Sequence, residues 1–280
     1  MKQTIWGHTI VKNEEKFIWF AIKSVIDYLD KILIWDTGSK DKTVEIIKLL
    51  QREYPGKIEL KEYGYVDSYE FTEARQEILE KTHSDWFLMI DGDEVWFENS
   101  IRKVVEVIQK KGDLLDSIVT PHYNIVGDVY HYQEDKGSNY QIDQRRGHIN
   151  IRAINRNIQG LHFAKPHGQQ GLFDGDNIPI QERKGRRIFI NAPYFHFTHM
   201  VRSSFKGFDK KVPKREQKFS YEIGIPFPKD FRYPEVFYSA RPDVVPSPWK
   251  RRPIKFFLIS LVTTPLKKIK RRITKSKEGY

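Results

Sequence analysis

An alternation constrains this chain more than any other feature. Through residue 111, apolar runs near 5–11, 31–35, 57–62 and 86–90 alternate with helical patterns near 14–29, 42–54, 72–82 and 99–111. Strands separated by helices are joined by crossovers, which predicts a mostly parallel sheet covered on both faces. Ligands of such open sheets bind outside the carboxyl ends of the strands, so the residues that end each run matter most. The run Trp86-Phe87-Leu88-Met89-Ile90 leads straight into Asp91-Gly92-Asp93-Glu94. Ile32-Leu33-Ile34-Trp35 leads into Asp36, and Thr9-Ile10-Val11 into Lys12-Asn13-Glu14-Glu15. Asn13 reads as a helix N-cap, with Glu14 and Glu15 in the first turn of a helix that buries Phe17, Ala21, Ile22, Val25 and Leu29.

Asp91 and Asp93 are two hard oxygen donors delivered to one spot by a buried strand. They suit Mg²⁺ or Mn²⁺, and such a metal suits a diphosphate. An acidic turn is the alternative for an isolated Asp-x-Asp. Neither Gly-x-Gly-x-x-Gly nor Gly-x-x-x-x-Gly-Lys-Ser/Thr occurs, so neither dinucleotide nor P-loop binding is indicated.

Four blocks occur in order: Val11-Lys12-Asn13-Glu14-Glu15, the run Asp36 to Thr43, Glu73-Ala74-Arg75-Gln76, and Asp91-Gly92-Asp93-Glu94. Together, over roughly residues 7–100, the chain resembles glycosyltransferase family 2. The resemblance implies a GT-A fold: an α/β, Rossmann-like, three-layer arrangement with a mostly parallel sheet. It also implies an inverting enzyme with a nucleotide-diphosphate-sugar donor and a Mn²⁺ or Mg²⁺ cofactor. On this resemblance Asp36 accepts from the nucleotide base, usually uracil. Arg75 lies near the diphosphate, Asp91 reaches the ribose or the metal, and Asp93 ligates the metal. Thr9 and Asn13 join the donor site by their places at or past strand ends. Without the resemblance, Asp36 reads as a turn residue, Arg75 as a solvated helix face and Asn13 as a cap alone.

The pattern changes after about residue 116. Residues 117–126 and 149–156 read as strands around a polar loop at 127–148 that could order on ligand binding, and the tyrosine-rich loop at 63–71 is expected near the nucleotide. The stretch from Arg152 to His167 resembles a family pattern in which an arginine-bearing strand precedes a His-Glu pair. Here His167 is followed by Gly168, so the glutamate's role does not carry over. The segment Tyr194-Phe195-His196-Phe197-Thr198-His199 resembles the one that supplies a metal-completing histidine, with His196 preferred and His199 second. A structural histidine is the alternative. A second Asp-Gly-Asp, at Asp174-Gly175-Asp176, follows no comparable apolar run. Asp174, Asp176 and Glu182 are candidates for the general base that deprotonates an acceptor hydroxyl, with a plain turn as the alternative.

The net charge of +11 is unevenly placed: residues 250–280 hold eleven Lys or Arg and one acid, a net +10, which leaves +1 for the rest. No nucleic-acid-binding signature accompanies it, so no nucleic-acid partner is expected. The tail places Ile254 to Val262 between basic clusters, too short to span a bilayer but suited to an anionic membrane surface. A docked C-terminal helix with a solvated basic end is the alternative. Cysteine is absent, and the first residues carry no apolar signal region. The expected location is therefore cytoplasmic, peripheral on the cytoplasmic membrane face. Four units are expected: a nucleotide-sugar half at 1–116, a smaller mixed acceptor half at 117–210, a Pro-rich extended connection at 211–249 and the amphipathic tail at 250–280. The expected partners are the nucleotide-sugar donor, a glycan or lipid-linked acceptor in envelope glycan or glycolipid assembly, and the membrane. The competing readings are a sugar-phosphate nucleotidyltransferase, whose glycine-rich N-terminal loop is missing here, and a non-catalytic membrane-surface binder.

Overall fold

The computed structural model describes residues 2–138, 140–166, 169, 171–183, 185–204, 220–273 and 277–278. The first half follows the alternation: β1 (Ile5–Val11), α1 (Ile18–Lys23), β2 (Lys31–Asp36), α2 (Thr43–Glu53), β3 (Ile58–Glu62), α3 (Glu70–Glu80) and β4 (Trp86–Met89). Next come β5 (Glu94–Trp96), α4 (Glu98–Lys111), β6 (Ser117–Asn124), β7 (Ile149–Asn155), the hairpin β8 (His162–Ala164) and β9 (Gly171–Phe173), β10 (Arg187–Phe189) and β11 (Tyr194–His196). The main sheet runs β3-β2-β1-β4-β7-β6-β11-β5, with β10 also paired to β6. The strands β3, β2, β1 and β4 are parallel, as the crossovers demand; β7 is antiparallel to both its neighbours.

Side-chain alternation sorts the core into layers. Ile32 and Ile34 of β2 face the apolar stripes of α1, α2 and α4, including Ile22, Ile46, Ile47, Ile101 and Val104. Leu33 and Trp35 face the opposite way, onto Ala74 and Ile78 of α3. This is the three-layer, mostly parallel arrangement that the alternation predicts.

The helix expected from residue 14 starts only at Ile18, and a short 3₁₀ turn at Ile26–Tyr28 replaces its last part. The reason lies in the backbone N–H groups of residues 13–15. They donate to Ser39 Oγ, Thr43 Oγ1 and Asp41 Oδ2, which pins the segment to the β2–α2 loop with Asn13 in the left-handed region and Phe17 at φ −125°, so helical backbone begins only beyond them. Asn13 is not an N-cap. It sits at φ 55°, and its Oδ1 accepts from Lys40 N at 2.7 Å.

The described part of the expected connection and the tail both lie against the body. The 220–249 part of the expected extended connection is mostly irregular chain: Phe227, Phe231, Tyr233, Phe237 and Trp249 pack on the core around Phe195. Residues 211–219 lie outside the described residues. The expected tail is a docked helix, α5 (Ile254–Ile273). Its Phe256 fills the space over Gly127 and packs 5.1 Å from the Tyr221 ring. Arg271 pairs with Glu222, and Arg252 takes hold of the 127–131 turn through Asp128 and His131. The polar stretch at 127–148 is thus built into the body, with short strands at His131–Tyr132 and Tyr140–Ile142. No described helix is long and apolar enough to cross a membrane.

Candidate functional site

The site lies where β1, β2 and β4 end. Asp36, the last residue of β2, pairs with Val11, the last of β1. It is buried, and its Oδ2 accepts from Gly38 N at 3.0 Å and Ser39 N at 2.9 Å. Its Oδ1 is buried without a hydrogen-bond partner, and burial raises the pKa of the carboxyl above its ordinary value. Gly38 has φ +85°, and a Cβ there would come within 3.0 Å of Tyr65 N, so the turn after Asp36 packs directly on the 63–71 loop. That loop presents Tyr65 and Tyr69 to solvent, and Lys12 Nζ lies 4.4 Å over the Tyr65 ring. Thr9, expected at a strand end, sits two residues inside β1 opposite Ile34 and is fully buried.

Past β4 the chain turns at Gly92. A Cβ there would stand 2.9 Å from Glu14 Cγ and 3.0 Å from Val11 Cγ1, so only glycine lets the acidic turn pack against the end of β1. Gly92→Ala is expected to destabilise the fold by about 1–3 kcal/mol through this overpacking. A lowered denaturant midpoint with an unchanged slope checks it; an unshifted midpoint contradicts it.

The turn places four carboxylates among three guanidiniums. Asp91 lies 3.7 Å from Arg75 of α3 and 3.2 Å from Arg152 of β7. Glu94, fully buried, is paired with the same Arg152. Asp93 Oδ2 is 2.7 Å from Arg202, which also holds Glu14 at 3.0 Å. Burial pushes the Glu94 carboxyl well above the carboxylate range, and Arg152 opposes that push. The paired carboxylates keep both Arg152 and Arg202 protonated against their own burial.

Arg152 reaches this turn because of a break in the sheet. Ile151 pairs with Val119 and Ala153 with Ile118, so Arg152 is an extra residue on β7, a β-bulge. Tyr194 Oη accepts from Arg152 Nε at 3.0 Å and steadies the guanidinium. His196 arrives by another route. It ends β11, directly opposite Glu94 of β5, with its Nε2 3.9 Å from Glu94 Oε1 and 3.7 Å from Asp93 Oδ2.

One oxygen of Asp91, one of Glu94 and one imidazole nitrogen of His196 all lie within 4.8 Å of one another. Two hard carboxylates and an imidazole fit Mn²⁺ or Mg²⁺. The convergent set joins Asp91 and His196 with Glu94, and Asp93 Oδ2, which Arg202 also holds, stands as near to His196 Nε2 at 3.7 Å as Glu94 Oε1 does at 3.9 Å. His199 sits in the turn after β11, close enough to bear electrostatically on His122, whose ring lies 5.2 Å from that of His196. Behind His122 a buried polar chain continues through His148, Asn124 and Gln133 to Glu222.

The three base candidates are not in this cluster. Asp174 accepts from Asp176 N and Ile178 N in its own turn and pairs with Arg183, which also binds Asp116. Asp116 precedes β6 at the amino end of the sheet, level with Trp86 and Phe87 through β7, whereas Asp91 lies past the carboxyl end of β4. Asp176 and Glu182 are exposed on that same turn region. His167 lies outside the described residues. Sequence reasoning missed Glu94 as a candidate donor and Glu14 and Arg202 as a pair, because their partners lie far away in the chain.

Residues 8–202 match the family described as Glycosyl transferase family 2. The chain is 33% identical over 122 residues to the SPbeta prophage-derived glycosyltransferase SunS of Bacillus subtilis (strain 168), an alignment that covers 42% of this chain and 27% of the relative. The chain thus spans about a quarter of that relative's length. Among solved structures, it is similar to S. aureus TarS 1–349 in complex with UDP-GlcNAc (TM-score 0.48, 12% identity, 71% of this chain and 59% of that one). It is also similar to glucosyl-3-phosphoglycerate synthase from Mycobacterium tuberculosis in complex with Mn²⁺ and UDP-glucose (TM-score 0.42, 15% identity, 71% of this chain and 73% of that one).

Proposed function

The chain belongs to glycosyltransferase family 2, and we propose that it moves a sugar from a nucleotide-diphosphate sugar, a UDP-sugar in our reading, to an acceptor hydroxyl with inversion at the anomeric carbon. One observation carries this: a buried carboxylate with an unpartnered oxygen, Asp36, shares the strand-end site with the convergent Asp91, Glu94 and His196 beside Arg75. A uracil imide N–H is a donor of the kind that Asp36 Oδ1 lacks. Arg75, a planar fork of donors on α3, suits the diphosphate. Asp91, Glu94 and His196 would hold Mn²⁺ or Mg²⁺, which when bound supplies charge stabilisation for the departing diphosphate.

The remaining work falls to the chain's own residues. Arg152 and Arg202 fix Asp91, Glu94 and Asp93 in place, so the site's charges are aimed before substrate arrives. The acceptor oxygen bonds to the anomeric carbon on the face opposite the nucleotide as the carbon–oxygen bond to the diphosphate breaks, and the hydroxyl proton passes to a carboxylate or to solvent. The acceptor class we favour is a glycan or lipid-linked precursor at the cytoplasmic membrane face, in keeping with the basic and apolar α5.

Incubation of the chain with a panel of nucleotide sugars and Mn²⁺, reading free nucleotide, tests the proposal. Metal-dependent release of UDP from a UDP-sugar is expected. Release from none of them, with Mn²⁺ or Mg²⁺, overturns it. Asp36→Ala is expected to weaken UDP binding roughly ten- to a hundredfold, the loss of a hydrogen bond to a charged group at about 1.5–3 kcal/mol. An unchanged UDP dissociation constant by calorimetry would remove Asp36 from the base site.

A further inference from the structure

Helix α5 is amphipathic in the reverse of the usual sense. Four of its polar residues, Ser260, Thr263, Thr264 and Lys267, face the protein. Ser260 and Thr264 are buried, Thr263 Oγ1 donates to Tyr221 O, and Lys267 Nζ donates to Tyr221 O at 3.0 Å. Thr264 Oγ1 accepts from Ile223 N at 3.0 Å. Six of its apolar residues face outward: Ile254 at 72% exposure, Leu258 at 56%, Leu261 at 46%, Val262 at 68%, Leu266 at 64% and Ile269 at 55%. At about 100° per residue these six positions fall within one arc of roughly 140°. A surface helix ordinarily turns such a stripe into the core, because exposed apolar area is unfavourable in water.

We propose that this stripe is a membrane-docking face that lies on an anionic lipid bilayer. Charge selects the occupant. On the same helical projection, exposed Lys268 lies just outside one edge of the arc and exposed Lys270 outside the other, with exposed Lys255 just inside that second edge, and α5 contains no acidic residue. Cations that border an apolar stripe match anionic headgroups around an acyl surface. The helix cannot instead insert across the bilayer, since its opposite face is bonded to the 220–223 segment and it is not apolar enough to span. Pro265 lies inside the exposed arc and has no N–H for the Leu261 carbonyl. A wet headgroup interface can solvate that carbonyl, whereas a dry contact with a second protein would leave it unsatisfied. The inference concerns a surface separate from the donor site and does not depend on the sugar-transfer reading.

Co-sedimentation of the chain with vesicles tests it. Binding is expected to vesicles of equal parts phosphatidylglycerol and phosphatidylcholine, weaker to phosphatidylcholine alone, and falling as salt rises. The triple change Leu258→Gln, Val262→Gln and Leu266→Gln should reduce binding at least about tenfold, since three outward apolar side chains lose their favourable transfer. Lys255→Gln, Lys268→Gln and Lys270→Gln together should remove the preference for the anionic vesicles. All these positions are exposed, so circular dichroism and the melting temperature should match wild type, which separates lost docking from lost folding. No binding to either vesicle, or binding by the apolar triple equal to wild type, overturns the proposal. So does a dimer in sedimentation velocity that the apolar triple dissolves while vesicles bind nothing, which would make the face an interface between copies.

Discussion

Asp91→Ala is expected to lower sugar transfer by about a thousandfold while the protein remains folded. Asp91 is about a third exposed and fills no part of the core, so its loss removes an oxygen from the Asp91, Glu94 and His196 set without opening a cavity. Groups aimed at developing charge each contribute roughly 10²–10³ in rate, and a dication that loses a carboxylate gives up more. The measurement is turnover against Mn²⁺ concentration, with UDP affinity measured with and without the metal. The variant should bind UDP through Asp36 yet lose the metal's contribution to that affinity. Wild-type turnover in the variant would refute the cluster. Asp93→Ala is a less clean probe, because Asp93 is buried and its removal opens space in the interior.

Arg152→Met should destabilise the fold by about 3–5 kcal/mol, since it leaves the fully buried Glu94 without its cation. In a chain of this size the melting temperature should fall by roughly 10 °C. The companion change Glu94→Gln should recover most of the loss in the double variant, because the penalty belongs to the unpaired charge more than to lost packing. A single variant as stable as wild type would show that the pair is not needed for folding. A double variant no better than the single would show that Arg152 acts through other contacts, Tyr194 first among them.

The parts of the site that were legible in the sequence are those a strand end delivers locally. Asp36 and Asp91 follow apolar runs, and the structure places both at the edge the alternation implies. Asn13 shows how a local signal misleads. Asn before two glutamates looks like a helix start, but the partners that take its backbone N–H and its side-chain oxygen, Ser39 and Lys40, lie more than twenty residues away. Glu94 and His196 meet only because β5 and β11 pair, a contact between residues about a hundred apart that no spacing announces. The acidic turn at 174–176 carries the same three residue types as 91–93, yet Arg183 and Asp116 tie it to the opposite end of the sheet. What the motif lacks there is a preceding strand that points at the site.

The bulge at Arg152 also sets local regularity against use. A chain without that one residue would pair β7 with β6 in an unbroken ladder, and every hydrogen-bonding and alternation rule of a strand would be better obeyed. It would also lose the guanidinium that holds Asp91 and Glu94 together. A more regular sheet would therefore leave Glu94 buried without its cation, so the irregularity in β7 carries the charge balance of the strand-end turn.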